Sequence, residues 1–103
     1  MLQSYEHALP AEWLPMSKVF AALGDEQRQR ILLLFERGER LNISQIVAAS
    51  PLSRSAITHH LRVLREAGVL RSEKVGKEVL FWIDTPFVAD TLDTVLAYIR
   101  ENL

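Results

Sequence analysis

The amino-acid sequence predicts a small α+β domain that is mostly α-helical, with about five helices and a two-stranded β-hairpin. Several segments repeat apolar residues every three or four positions and are separated by glycine, proline or helix-capping residues, which is typical of amphipathic helices. Residues 69–83 change to the alternating pattern of strands. A chain of 103 residues has room for one core, so one domain over residues 1–103 is expected.

Two helices are predicted in the first third of the chain. The first runs over residues 15–23, opens at a proline and closes at Gly24. Asp25 then caps a second helix over residues 26–37, which a glycine ends.

The middle of the chain predicts two further helices. Ser44 is a candidate N-cap for a short helix over residues 45–49, and a Ser-Pro pair follows it. Ser53 then caps a longer helix over residues 54–67. Helices separated by so few residues must cross steeply, which predicts a helix-turn-helix at about residues 44–67.

The last third predicts a hairpin and a terminal helix. Residues 69–83 form two alternating runs with Gly76 at the tip between them. Thr85 and the proline after it are an N-cap and first-position pair for a helix over residues 86–102. A helix-turn-helix followed by a hairpin at about 69–83 is the element order of a winged helix-turn-helix.

One face of the helix over residues 54–67 is suited to contact double-stranded DNA. At 100° per residue, Ile57, Leu61 and Leu64 share a narrow seam that should be buried. The outward face carries groups that can hydrogen-bond base edges in the major groove. The candidate DNA contacts on this face are Arg54, Ser55, Thr58, His59 and Arg62. Lys74 and Lys77 flank the hairpin tip and are candidates for phosphate contacts.

Charge is distributed unevenly along the chain. The net charge is −1, but residues 53–77 hold six Lys/Arg against two Glu, or +4, and residues 78–103 hold one against five, or −4. This separation predicts a local positive surface of the kind that attracts phosphate.

The terminal helix predicts a homodimer. Its apolar residues fall within about 60° of one another at 100° per residue, and they are Val88, Leu92, Val95 and Ile99. Packing within one chain is the alternative, but a terminal helix has little domain left to cover. We expect the first helix, about residues 12–23, and the last, about 86–102, to form the dimer interface.

Two stretches of the sequence resemble the ArsR/SmtB family of repressors. Residues 20–25, FAALGD, together with Arg28 and residues 30–32, are similar to the opening signature of that family, and residues 52–70 nearly reproduce its recognition-helix sequence. The resemblance implies a dimeric winged-helix repressor whose first and last helices form the dimer. It implies base contacts at Arg54, Ser55, Thr58 and His59.

The chain departs from the family where metals and bases are bound. Arg54 stands where the family usually has a small uncharged or amide side chain, and Arg favours guanine where an amide favours adenine. Asn42 and Ser44 replace the Cys-x-Cys pair of many metal-sensing members, and the last helix contains no His. We therefore expect no metal and no other cofactor.

The absence of cysteine excludes disulfides, thiolate metal sites and thiol oxidation sensing. Any inducer should be a small organic molecule, unless concentration alone sets the activity. A zinc site between subunits using His7 with Glu6 or Glu12 remains conceivable. His59 and His60 diverge by about 100° on a helix and do not suit one metal ion, so His60 is expected to be a hydrogen-bonded structural residue.

Two other classes of function fit these residues less well than a DNA-binding repressor does. A protein-interaction module built on a winged helix would need acidic or apolar residues on the outward face, which are absent. An enzyme could use the i, i+4 pair Ser55 and His59, but no acid is placed to orient the imidazole. The aromatic residues Trp13, Trp82, Phe20, Phe35, Phe81 and Phe87 fit core positions better than a ligand cavity.

The composition matches a folded chain without membrane or secretion signals. Hydrophobic residues make up 49% of the sequence and charged residues 24%, which is too apolar for a disordered chain. No apolar run approaches the roughly 20 residues of a membrane span, and the N-terminus lacks a secretion signal. We expect a cytoplasmic protein that is not an enzyme and has no membrane partner.

Overall fold

The computed structural model describes residues 8–103. A 3₁₀ turn, Ala11–Trp13, leads into the regular elements. In chain order these are α1 (Leu14–Leu23), α2 (Glu26–Leu32), β1 (Leu41–Asn42), α3 (Ile43–Ala48), α4 (Arg54–Glu66), β2 (Leu70–Val75), β3 (Glu78–Ile83) and α5 (Thr85–Asn102). None of these helices is both long and apolar enough to cross a bilayer.

The predicted hairpin is confirmed, and a third strand joins it. Strands β2 and β3 pair antiparallel, and Gly76 has φ +62° at the first position of their two-residue turn. Glycine is favoured there because other residues rarely adopt positive φ. Strand β1 pairs with the other edge of β3, with Leu41 opposite Phe81. The sequence prediction missed β1 because two residues are too few to show alternation.

The predicted extent of α2 was wrong. The helix ends at Leu32 rather than at position 37, and the N–H groups of Leu34 and Phe35 bond to carbonyls three residues back at 3.0 and 3.2 Å. This tightening turns the chain away from the helix axis and towards β1. Leu34 and Phe35 still pack against the core, which explains why their spacing resembled a continued helix.

Two predicted N-caps were also wrong. Asn42, not Ser44, caps α3, because its side-chain oxygen accepts the N–H of Gln45 at 2.8 Å while the Gln45 side chain accepts the N–H of Asn42 at 2.8 Å. Asp84, not Thr85, caps α5 by accepting the N–H of Phe87 at 3.2 Å. Both helices therefore begin earlier than predicted.

The core is centred on α4. Ile57, Leu61 and Leu64 are buried, as the angular analysis predicted, and pack with residues of α1, α2, α3 and the sheet. Of the six aromatic residues expected in the core, Phe81 is buried, and Phe35 and Phe87 are partly buried and pack against the core. Trp13 and Trp82 are partly buried outside the core, so their predicted core positions were wrong. Phe20 lies on the exposed side of α1, so its predicted core position was wrong.

The end of α4 is fixed against the start of α5. Gly68 has φ +84°, and the N–H of Val69 bonds to the carbonyl of Leu64 at 3.0 Å, which closes the helix. A Cβ atom at position 68 would lie 2.8 Å from Cε2 of Phe87. The close approach holds α5 near the C-terminal end of α4.

Candidate nucleic-acid interface

The outward face of α4 presents the residues that the sequence predicts as DNA contacts. Their side chains are all exposed, on the side opposite the buried seam, and they are Arg54, Ser55, Thr58, His59 and Arg62. Ser53 caps the helix by accepting the N–H of Ala56 at 3.1 Å. The result is a rigid helix with hydrogen-bonding groups in its first turns.

Local hydrogen bonds limit what two of these side chains offer. The hydroxyl of Thr58 donates to the carbonyl of Arg54 at 2.8 Å, so its oxygen remains as an acceptor beside an exposed methyl group. Nη1 of Arg54 donates to Oγ of Ser44 at 3.4 Å, which links α4 to α3. Because this bond is long and exposed, the guanidinium keeps most of its donors for another acceptor.

A hydrogen-bond network centred on Arg28, the Arg28 network, links α4 to the N-terminal helices. Nε of Arg28 donates to the carbonyl of Ala22 at 2.7 Å, Nη2 donates to that of Ala21 at 3.1 Å, and Nη1 lies 3.4 Å from Nδ1 of His60. Since a guanidinium can only donate, this hydrogen bond requires Nδ1 of His60 to be an acceptor, as it is in one tautomer of the neutral imidazole. His60 therefore has the structural role expected of it, whereas the sequence analysis missed the role of Arg28.

Two pKa shifts belong to this network. Burial lowers the pKa of His60 below its usual value, and the charge of Arg28 acts in the same direction, while Asp25 partly opposes them. The backbone N–H of Arg28 lowers the pKa of Asp25, whose side chain caps α2. The network is therefore most stable with His60 neutral and Asp25 ionised.

The β2–β3 hairpin carries both predicted phosphate contacts at exposed positions. Lys74 stands opposite Val79 on the paired strands, and Lys77 lies in the turn. Glu73, one of the two acids in the positive segment, bonds to Arg40 with Nη1 to Oε2 at 2.9 Å. Because Arg40 lies outside that segment, the pair neutralises an acid of the hairpin, and among residues 8–103 neither Lys74 nor Lys77 forms an ion pair.

The apolar stripe of α5 divides between the core and the surface. Val88 is partly buried and packs against the core, and its place in a dimer interface stays a prediction. Leu92 and Ile99 remain 42% and 45% exposed, and Val95 is half-buried. Further exposed apolar residues that the sequence analysis missed are Leu9, Leu14, Leu96 and Tyr98. Trp13 packs edge-to-face on Tyr98, with 5.1 Å between ring centroids, and joins the N-terminal segment to α5.

Within residues 8–103, no group of three His, Cys, Asp or Glu residues is placed to hold a metal ion. The conceivable zinc site at His7 with Glu6 lies outside the described residues.

Comparison with known proteins supports a regulator. Residues 25–72 match the family described as bacterial regulatory protein, arsR family. The chain is similar to the transcriptional repressor SdpR of Bacillus subtilis (strain 168), with 28% identity over 87 residues that cover 84% of this chain and 96% of that repressor.

Two solved structures have the same fold. An ArsR-like transcriptional regulator from Rhodococcus sp. RHA1 aligns with a TM-score of 0.79 and 32% identity, covering 87% of this chain and 84% of that one. The solution NMR structure of the homodimeric winged helix-turn-helix domain of Mb0332 from Mycobacterium bovis aligns with a TM-score of 0.70 and 23% identity, covering 100% and 93%. The chain therefore belongs to the ArsR family of transcriptional regulators and carries its DNA-binding winged helix-turn-helix.

Proposed function

We propose that this protein is a sequence-specific transcriptional repressor that binds an imperfect palindromic operator as a homodimer. The observation that carries the proposal is the exposed polar face of α4, set opposite a buried seam and beside a lysine-tipped hairpin. A helix of this kind fits the major groove, and repression follows because the bound protein excludes the transcription machinery. No catalytic step is required, and the protein acts in the cytoplasm, where the DNA is.

The residues divide between base contacts and backbone contacts. Arg54, Ser55, Thr58 and His59 lie in the first turns of α4, from which base contacts are usually made. The guanidinium of Arg54 can donate two hydrogen bonds to O6 and N7 of guanine. The side chain of Thr58 can accept a hydrogen bond from a cytosine amino group or contact a thymine methyl group. Arg62, Lys74 and Lys77 supply attraction to phosphate and little sequence discrimination.

The homodimer uses the helices at the two ends of the described chain. Leu92, Val95 and Ile99 form an apolar strip along α5 that nothing in residues 8–103 covers completely. The similar Mb0332 domain is described as homodimeric, which supports the same assembly here. In this arrangement the helix-turn-helix lies at about residues 44–67, the wing at about 69–83, and the dimer helices at about 12–23 and 86–102.

The repressor responds to no thiophilic metal and no oxidant. The sequence has no cysteine, and His59 and His60 serve the DNA face and the Arg28 network. Its inducer is a small organic molecule, or its activity follows its own concentration.

Selection of DNA from a random duplex library tests the proposed function. We expect an enriched imperfect palindrome with half-sites about one helical turn apart, or a multiple of it. The selected duplex should bind at least about 10³-fold more tightly than a shuffled duplex of the same length and composition. Failure to enrich any sequence, with the fold intact, would exclude a sequence-specific repressor.

A further inference from the structure

A groove of about 500 Å³ lies between the sheet and the segment that enters α5. Its walls are residues 35–40 of the α2–β1 connection, Arg71 and Trp82 of the sheet, and residues 83–86. Small-molecule sites in proteins commonly enclose roughly 300–1,000 Å³. None of the proposed DNA contacts lines this groove.

The sheet side of the groove is an aromatic and cationic surface. Arg71 and Trp82 are direct cross-strand partners, on the face opposite the buried side chains of Leu70 and Phe81. Cζ of Arg40 lies 3.9 Å from the centroid of the Trp82 ring, and Cζ of Arg71 lies 5.9 Å from it. Both guanidinium groups therefore lie within cation–π distance of the same indole ring.

Few direct ion pairs engage these guanidinium groups. Glu73 bonds to Arg40 at 2.9 Å, and among residues 8–103 neither Arg37 nor Arg71 has an ion-pair partner. The carboxylate of Glu39 accepts a backbone N–H at 3.1 Å, and that of Asp84 caps α5.

The groove wall holds three carboxylates, of Glu36, Glu39 and Asp84, beside three guanidinium groups, of Arg37, Arg40 and Arg71. Among the described residues none of these carboxylates forms an ion pair with one of these guanidinium groups, so the guanidinium donors are not used by the wall itself. Of the three carboxylates, only that of Glu36 accepts no hydrogen bond among the described residues. Phe35, Ile83 and Pro86 add an apolar part to the lining.

We propose that this groove binds a small aromatic carboxylate, and, resting on the proposed repressor function, that this ligand is the effector. The carboxylate accepts hydrogen bonds from Arg71 and Arg40, for which a planar two-oxygen anion is the matching shape. The aromatic ring packs against the apolar lining at Phe35 and Pro86.

The groove is placed to influence both the wing and the dimer. A carboxylate that bonds to Arg40 competes with Glu73 of β2 for the same guanidinium. The opposite wall includes Thr85 and Pro86, the first residues of α5. Occupancy can therefore shift the hairpin relative to the helix proposed to form the dimer, which gives the ligand different affinities for the free and DNA-bound states.

An NMR titration of the free protein tests binding without DNA. We would follow the indole N–H signals of Trp82 and Trp13 while adding 1-naphthoate, its neutral amide, or acetate, and a Trp13→Phe variant assigns the two signals. Saturable movement of the Trp82 signal by naphthoate is expected, with Trp13 as the internal control. The amide should bind about tenfold more weakly, and acetate should give no saturation up to about 10 mM.

Variants locate the site. Arg71→Gln should weaken naphthoate binding about tenfold, whereas Arg100→Gln, an exposed arginine near the end of α5, should leave it unchanged. Equal binding of acid and amide, equal binding by the Arg71 variant, or no saturable movement of the Trp82 signal would each overturn the site.

Operator affinity with and without saturating naphthoate tests the effector role separately. We expect at least about a threefold loss of operator affinity in the wild type and a smaller loss in Arg71→Gln at the same naphthoate concentration. Binding without any change in operator affinity would overturn the effector role and leave the site. Because the titration contains no DNA, failure of the repressor proposal cannot be mistaken for failure of the site.

Discussion

At the scale of single residues, base contacts and phosphate contacts should respond differently to substitution. Arg54 and His59 occupy the first turns of α4, while Lys77 lies in the turn of the hairpin. A base contact is made only with the correct sequence, whereas a phosphate is present in every duplex. The two classes can therefore be separated by comparing operator with random DNA.

Arg54→Ala or His59→Ala should cost about 1–3 kcal/mol on the operator and little on random DNA. Lys77→Ala should weaken binding to both and reduce the salt slope by about one per half-site. Fluorescence anisotropy across a salt series measures both effects. Equal losses on operator and random DNA for all three variants would show that the assignment is incorrect.

We expect His60 to make the stability of the protein dependent on pH. Its folded-state pKa is below the usual 6.5, so the folded protein favours the neutral imidazole. The resulting stabilisation is complete above the unfolded pKa and is lost as the pH falls through the folded one. Asp25 has a lowered pKa as well, but its contribution is lost only in more acidic solution.

The free energy of unfolding should therefore fall between pH 7 and about pH 5. Urea unfolding at the two pH values measures it, and the pH dependence should be smaller in His60→Gln. His59→Gln is the matched control, because His59 lies exposed on the same helix. Identical pH dependence in the wild type and both variants would contradict this role for His60.

At the scale of elements, the start of α3 depends on one reciprocal pair of hydrogen bonds. Asn42 and Gln45 satisfy each other's backbone N–H groups at the point where β1 passes directly into the helix. The Asn42 amide also donates to Glu78 of β3 at 2.7 Å. One residue thus ends a strand, starts a helix and bonds to the hairpin.

Asn42→Ala should lower the free energy of unfolding by about 1–2 kcal/mol, because it leaves a helix-terminal N–H without its cap. Ser44→Ala should change it by less than about 0.5 kcal/mol, since Ser44 is exposed and already inside the helix. Chemical denaturation of both variants provides the comparison. A larger loss of stability from the Ser44 variant would show that Ser44, as the sequence predicted, rather than Asn42 caps α3.

At the scale of the whole molecule, the exposed apolar strip of α5 is the interface that we propose for the homodimer. Leu92→Glu or Val95→Glu should weaken dimerisation, because each places two carboxylates in one apolar interface. Leu33→Glu is the matched control, since Leu33 is 84% exposed at the end of α2. Sedimentation at tens of micromolar distinguishes the species, and a folded wild-type monomer at that concentration would contradict the proposal.

The absence of cysteine from the chain governs its response to metals and oxidants. Operator affinity should change by less than about tenfold on addition of equimolar zinc, cadmium, arsenite or peroxide, because soft metals and oxidants act through thiolates. A larger change that a chelator or reductant reverses would contradict this expectation. For a change that a chelator reverses, His7 would be the first residue to replace.

The sequence by itself determined the features that repeat at a fixed period or depend on one residue type. The buried seam of α4 follows from helical spacing, and the exposed polar face follows from the helix positions that lie outside that seam. The hairpin follows from the alternating pattern on either side of Gly76. These features depend on neighbours along the chain. The lack of thiol chemistry depends only on composition.

Only the tertiary structure decided which partners distant residues find. The end of α2 and the starts of α3 and α5, which the sequence predicted wrongly, depend on how the chain turns between the helices and the β1–β3 pair. The bonds of Arg28 to His60 and of Arg40 to Glu73 join residues 32 and 33 positions apart. Val88 packs against the core while Leu92 is exposed, because packing against the rest of the domain, rather than spacing, divides one apolar stripe in two.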